Sequence, residues 1–180
     1  MKRLLFLLLC IVVLSGSSGL LCQKIDLSKM PVTTLNTYPG FVTINELHFG
    51  IGLGITSVPY SKSFFGFTTV NGYQIHKNFV AGIGTGLSFY NGGLLVPLFL
   101  DFRYRFNIAP LTPYVFADGG FLLKFSDFKG TKLFVNPGIG VRYSFSPKFA
   151  VNLGSGLLIQ KGGVAGDSFI DFKAGITYKF

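Results

Sequence analysis

The chain has 180 residues, 49% of them apolar and only 13% charged, a balance that excludes intrinsic disorder. Its formal net charge of +9 is spread without the Lys/Arg cluster that a nucleic-acid interface needs. Past residue 22 no apolar run reaches the ~18 or more residues of a spanning helix; the longest, Leu94 to Leu100, is broken by Pro97 and stops at Asp101.

Lys2 and Arg3 form a basic start, Leu4 to Leu14 a short apolar stretch, and Ser15 to Gly19 a run of small residues. That order predicts a signal peptide over residues 1–22, cleaved at Cys22–Gln23, with Gly19 as the alternative. Cys22 raises a second reading, acylation of its thiol after cleavage, although Leu21 is larger than the residue that normally precedes a lipidated cysteine. Both cysteines, Cys10 and Cys22, lie at or before the cut, so no disulfide is expected in the mature chain. Loss of Lys2 and Arg3 lowers the net charge from +9 to +7, and an exported chain does not meet the genome, so no nucleic-acid partner is expected. Residues 23–40 do not alternate cleanly; a periplasmic tail, an extension of the first strand and an inserted plug all remain open.

From Phe41 onward apolar residues recur at every second position, the period of strands with two unlike faces. Leu47, Phe49, Ile51, Leu53 and Ile55 oppose Glu46, His48, Gly50, Gly52 and Gly54; Phe65, Phe67, Tyr73 and Ile75 oppose Gly66, Thr68, Gly72 and Gln74. Phe79, Ile83, Leu87 and Phe89 oppose Gly82, Gly84, Gly86 and Ser88, and a fourth segment sets Leu98, Leu100, Phe102 and Tyr104 against Asp101, Arg103 and Arg105. The second half repeats the scheme. Val115, Ala117 and Phe121 oppose Tyr114, Asp118 and Gly120; Val135, Ile139 and Val141 oppose Asn136, Gly138 and Arg142. Val151, Leu153 and Leu157 oppose Asn152, Gly154 and Gly156, and Ile170, Phe172, Ile176, Tyr178 and Phe180 oppose Asp171, Lys173, Thr177 and Lys179.

Eight such segments with turn residues between them predict an all-β fold, an eight-stranded antiparallel up-and-down barrel over residues 41–180. A soluble carrier barrel also alternates, but it lines its cavity with apolar residues and exposes polar ones. Here one face is nearly pure Leu, Ile, Val, Phe and Tyr, while the other mixes Gly with charged residues. Such a face suits the lumen of a narrow transmembrane barrel. Turns at His76–Asn78, Asn107–Thr112 and Ser146–Lys148 are expected to face the periplasm with both termini; those near Ser57–Ser63, Asn91–Gly93, Ser126–Thr131 and Lys161–Ser168 are expected outside. Tyr73, Phe79, Tyr104, Phe106, Tyr143, Phe145, Tyr178 and Phe180 then gather at one rim, as an aromatic girdle does.

The chain ends Phe172-Lys173-Ala174-Gly175-Ile176-Thr177-Tyr178-Lys179-Phe180, with a terminal aromatic residue and apolar residues at alternate positions before it. In this it resembles the small outer-membrane β-barrel proteins of Gram-negative bacteria, the OmpA/OmpX-type eight-stranded class. The resemblance implies that Ile176, Tyr178 and Phe180 form a signal read by the barrel-assembly machinery, and that outer-membrane lipids surround the barrel. Its loops are shorter than the family often carries, and no extracellular partner follows from the sequence.

An eight-stranded barrel is just wide enough to be filled by its own side chains. Glu46, His48, Asp101 and Asp118 share the expected lumen with Arg103, Arg142 and Lys173, where charges need partners. A plug of ion pairs, with a structural or surface-interaction role for the protein, is therefore the leading reading. A narrow channel for ions or small solutes is the alternative. Catalysis has the weakest support: His48 and His76 are the only histidines, and no serine is placed beside His48 by spacing, although Glu46 could orient it. No catalytic, cofactor or metal residue is assigned, and no cofactor is expected.

Overall fold

The computed structural model describes residues 38–54, 62–91, 93–106, 110–124, 131–162 and 165–180. The expected signal peptide and residues 23–37 lie outside them. Eight strands follow in chain order: β1 Gly40–Gly52, β2 Ser63–His76, β3 Phe79–Tyr90, β4 Gly93–Arg105, β5 Leu111–Lys124, β6 Lys132–Ser144, β7 Phe149–Gly162 and β8 Ala165–Lys179. Each pairs antiparallel with the next, and β8 returns to β1 to close the barrel. Closure removes the unpaired edges that an open sheet would expose.

The alternation read from the sequence is the alternation of burial. Leu153 is 58% exposed and Ile139 68%, whereas Asn152 between Val151 and Leu153 is 3% exposed. The charged side chains of the strand centres point inward and the outer face is mostly large and apolar, the reverse of a water-soluble barrel. One connection differs from expectation. Most of Lys161–Ser168 is strand: β7 continues to Gly162 and β8 starts at Ala165, with those two residues paired, and residues 163–164 lie outside the described residues. The alternation of Ile159 and Lys161 outward with Gln160 inward simply persists, so the ladder extends over polar residues that read as a turn.

Two prolines interrupt the ladder where physics requires it. Between β3 and β4 the pairing skips from Thr85–Leu98 to Ser88–Leu95, around Pro97, and between β6 and β7 it skips from Val135–Ile159 to Gly138–Gly156, around Pro137. Proline has no N–H to donate to a neighbouring strand.

The lumen is layered along the barrel axis. At the end away from the termini, Phe64, Tyr90, Leu95, Phe99, Leu122, Phe134, Leu158 and Phe169 form an apolar layer, each at most 7% exposed. This corrects the expectation of a lumen lined by Gly with polar and charged residues. Many of the inward glycines are the sockets of inward rings: the Phe64 ring lies over Gly50, Phe99 over Gly84, and Phe116 over Gly138. A glycine on one strand thus makes room for an aromatic on another.

That packing gives a direct test. A Cβ on Gly84 would lie 2.3 Å from the Phe99 ring, which is itself held against Phe134 at 5.9 Å between centroids. Gly84→Ala should cost about 1–3 kcal/mol through overpacking. At outward-facing Gly119 the nearest atoms to an added Cβ are 3.9 Å away, so Gly119→Ala should stay within about 0.5 kcal/mol of the parent. Urea unfolding of both variants in the same vesicles measures the difference.

Candidate functional site

Below the apolar layer, β1, β4, β5, β6 and β8 aim charged and polar side chains at one another. Arg103 on β4 is the hub. Its Nη1 and Nη2 donate to Glu46 Oε1 and Oε2 at 2.7 and 2.8 Å, a two-pronged pair across the lumen. Its Nε donates to both oxygens of Asp101 at 3.0 Å, and Nη2 reaches Asp101 Oδ2 at 2.7 Å. A planar guanidinium offers five donors in a fixed fork, which is why one arginine can hold two carboxylates. Arg103 is 6% exposed, Glu46 2% and Asp101 0%.

Two further clusters flank this hub. Lys173 on β8 donates its ammonium to Asp118 Oδ2 on β5, with Nζ 4.2 Å from the centre of the Phe116 ring. On the other side Asp171 Oδ2 lies 3.1 Å from His48 Nδ1 and accepts from Asn136 Nδ2 at 2.8 Å. His48 Nε2 lies 2.6 Å from the Thr68 hydroxyl. All of these side chains are buried.

Arg142 stands apart from the group expected of it. Among the described residues it has no carboxylate partner; its Nε is 3.4 Å from Ser144 Oγ. Register is the reason: Arg142 lies opposite Thr112 and Asn152, nearer the termini than the level of Asp101 and Asp118. His48 also has a different acid from the one spacing suggested. Glu46 is taken by Arg103, and Asp171, 123 residues away in sequence, faces the imidazole instead. Asp171, Asn136 and Thr68 were visible as lumen-facing residues, but nothing in their spacing named their partners.

The terminal pattern lies on the outer face. Ile176 is 53% and Phe180 68% exposed, and the Tyr178 ring contacts Phe180 at 4.9 Å and Phe149 at 4.8 Å. The Phe180 N–H donates to Phe41 O at 3.1 Å, so the last residue is tied to the first strand.

No family model and no curated protein sequence matches the chain. Solved structures do. Neisserial surface protein A (NspA) aligns at 17% identity and a TM-score of 0.56, over 78% of this chain and 96% of that one. A chain from the de novo design of transmembrane β-barrels aligns at 19% identity and a TM-score of 0.51, over 81% of this chain and all of that one. The N-terminal β-barrel domain of Pseudomonas aeruginosa OprF aligns at 20% identity, with a TM-score of 0.47, over 77% and 98%. This chain has the fold of the small eight-stranded outer-membrane barrels. A designed sequence takes up the same fold, so the likeness concerns architecture and leaves activity to be argued from side chains.

Within such a barrel, Asp171, His48 and Thr68 have the acid–imidazole–hydroxyl order of a nucleophilic centre. Thr68 is 4% exposed and Asp171 1%, and the apolar layer lies between them and the far mouth. The hydrogen bonds of the cluster link β1, β2, β6 and β8.

Proposed function

We propose that the mature chain is an integral outer-membrane protein with a closed lumen and a structural or surface-interaction role. The observation that carries this reading is the double closure of the lumen. An apolar layer is followed by the Arg103–Glu46–Asp101 cluster, and every member of both is at most 7% exposed. The outward Leu, Ile, Val and Phe side chains suit outer-membrane lipid as their solvent, at roughly 25 cal/mol for each Å² of apolar surface kept from water. Both termini, with the short turn at Lys77–Asn78, would face the periplasm, and the opposite rim, carrying exposed Lys62 and Lys161, would face outward.

Reconstitution into planar bilayers tests the reading. The unaltered protein should insert without conductance steps, fractionate with outer membranes and show heat-modifiable migration. Regular steps lost on neutralising Arg103 or Asp101 would instead establish the competing reading, a narrow ion channel. The observation favouring that reading is that Arg103 is shared by two carboxylates on different strands, so it could side with one and release the other.

Assembly supplies a second test. If the barrel-assembly machinery reads Ile176, Tyr178 and Phe180, deletion of Phe180 should lower the amount of folded protein in the outer membrane. Phe169 would make a poor control, because it is 1% exposed and packed edge-on against Phe64 and Tyr90. Phe172→Ala, on the outer face of the same strand, is the suitable comparison and should reduce the folded amount less. Equal losses would show that Phe180 acts through packing alone.

A further inference from the structure

We propose that the barrel pairs with a second copy of itself through a hydrogen-bonding patch on the outer faces of β1 and β2. Four polar side chains, Thr43, Asn45, Thr69 and Asn71, point away from the lumen there, with outward Thr85 of β3 beside Thr69. On β1 they are followed by outward Leu47, Phe49 and Ile51 and preceded by Phe41; on β2 they fall between Phe65 and Phe67 on one side and Tyr73 and Ile75 on the other. Leu47 and Phe67 beyond them place Asn45 and Thr69 inside the hydrocarbon belt, and Thr43 and Asn71 lie one outward step from the rim aromatics Phe41, Tyr73 and Tyr178.

The four residues are matched in register, Asn45 opposite Thr69 and Thr43 opposite Asn71. Thr69 donates its hydroxyl proton to Asn45 Oδ1 at 2.8 Å, and Thr43 donates to Asn71 Oδ1 at 2.9 Å. Each hydroxyl has then spent its only proton, and each amide has used its oxygen. The amide nitrogens of Asn45 and Asn71, both on exposed residues, are left without an acceptor among the described residues. Acyl chains carry none. Donors facing hydrocarbon without a partner are strongly disfavoured, so the acceptor must come from another protein surface.

The patch itself offers what it lacks. The threonine oxygens keep lone pairs, and each amide oxygen has a second one. A two-fold axis through the patch would bring the amide nitrogens of one copy onto the oxygens of the other, in both directions at once, as an isologous interface requires. The ground beside it permits close approach. A depression on the outer face is lined by Thr43 and Asn71 of the patch together with Phe41, Tyr73, Ile83 and small Ala81, and small residues let membrane-embedded backbones come together. On the opposite wall, outward Phe121, Ile139 and Val141 are apolar, and outward Ser155 opposite Ile139 carries no amide.

Oxidative cross-linking in native outer membranes tests the proposal, with the unaltered chain as background. Leu47→Cys, beside the patch, should give a disulfide-linked dimer, and Ile139→Cys on the opposite wall should give none. Adding Asn45→Leu and Asn71→Leu should lower the Leu47→Cys dimer yield by about tenfold or more, since each membrane hydrogen bond is worth roughly a threefold change in association. The same double substitution should leave heat-modifiable migration intact. If the double variant fails to fold, energy transfer between differently labelled copies of the unaltered protein in phosphatidylcholine vesicles decides: it should persist on dilution with lipid. Equal cross-linking at residues 47 and 139, an undiminished yield without the amides, energy transfer no greater than random, or cross-linking of Leu47→Cys only to a different protein would each overturn the proposal.

Discussion

Arg103→Leu should destabilise the folded barrel by about 3–5 kcal/mol, because two buried carboxylates lose the cation that compensates them. Glu46 and Asp101 together receive five hydrogen bonds from this one guanidinium. With leucine in its place, neither acid has another cation within hydrogen-bond reach among the described residues. The triple variant Glu46→Gln, Asp101→Asn, Arg103→Met separates pairing from packing. It removes the charges while keeping the volume, and should recover most of the loss, since apolar or neutral replacements of a buried ion cluster are often near neutral. Urea unfolding of both variants in identical vesicles, read as a coupling energy, measures this. A triple variant as unstable as Arg103→Leu would show that Arg103 contributes through shape, with its charge of little consequence.

Leu153→Arg is expected to be the second large effect, and it tests which way the barrel faces. Leu153 is 58% exposed between outward Val151 and Ser155 on β7. A charge there enters hydrocarbon and should cost about 2–4 kcal/mol, with less damage nearer the rim. Asn152→Arg, one residue earlier, enters the lumen instead. Asn152 donates Nδ2 to Thr177 Oγ1 at 2.7 Å and lies opposite Arg142. The cost there is overpacking and the nearness of another guanidinium, about 1–3 kcal/mol, and a long side chain can extend toward the nearby mouth. The expected order is therefore Leu153→Arg worse than Asn152→Arg when both unfold from the same vesicles. In a water-soluble barrel with the same strands the order would reverse, because residue 153 would face water and residue 152 the core.

Much of the architecture was legible because a strand repeats every two residues and the two faces of this barrel meet opposite solvents. Wherever Leu, Ile, Val or Phe alternated with Gly, Asp or Lys, the structure shows the apolar residue outward and the polar one inward. The reading failed where a residue type was ambiguous. Phe64, Phe99, Phe134 and Phe169 also alternate with outward residues, so runs such as Ser63-Phe64-Phe65 and Ser168-Phe169-Ile170 are apolar on both faces at the far end of the barrel. Inward rings there depend on glycine sockets on other strands, and one strand's sequence does not say which socket a ring will meet. Asn45 and Asn71 carry no periodic signal, because polar neighbours such as Glu46, Thr68 and Thr69 occupy both faces there.

The local sequence by itself determined the number of strands, the sidedness of nearly every residue in them and the gathering of aromatics at the termini end, because each depends on neighbours two residues apart. It determined as well that Glu46, Asp101, Arg103, Asp118, Asp171 and Lys173 would share an interior. Only the closed tertiary structure decided which of them meet. Glu46 and Arg103 are 57 residues apart, Asp118 and Lys173 55, and His48 and Asp171 123. Such pairs form across a lumen whose geometry is set by strand tilt and by the stagger accumulated over eight ladders. A shift of two residues in one ladder would keep every side chain on its proper face and still send Arg103 to a different height. That is why Arg142, on the correct face of β6, lies at a level where no described carboxylate can reach it.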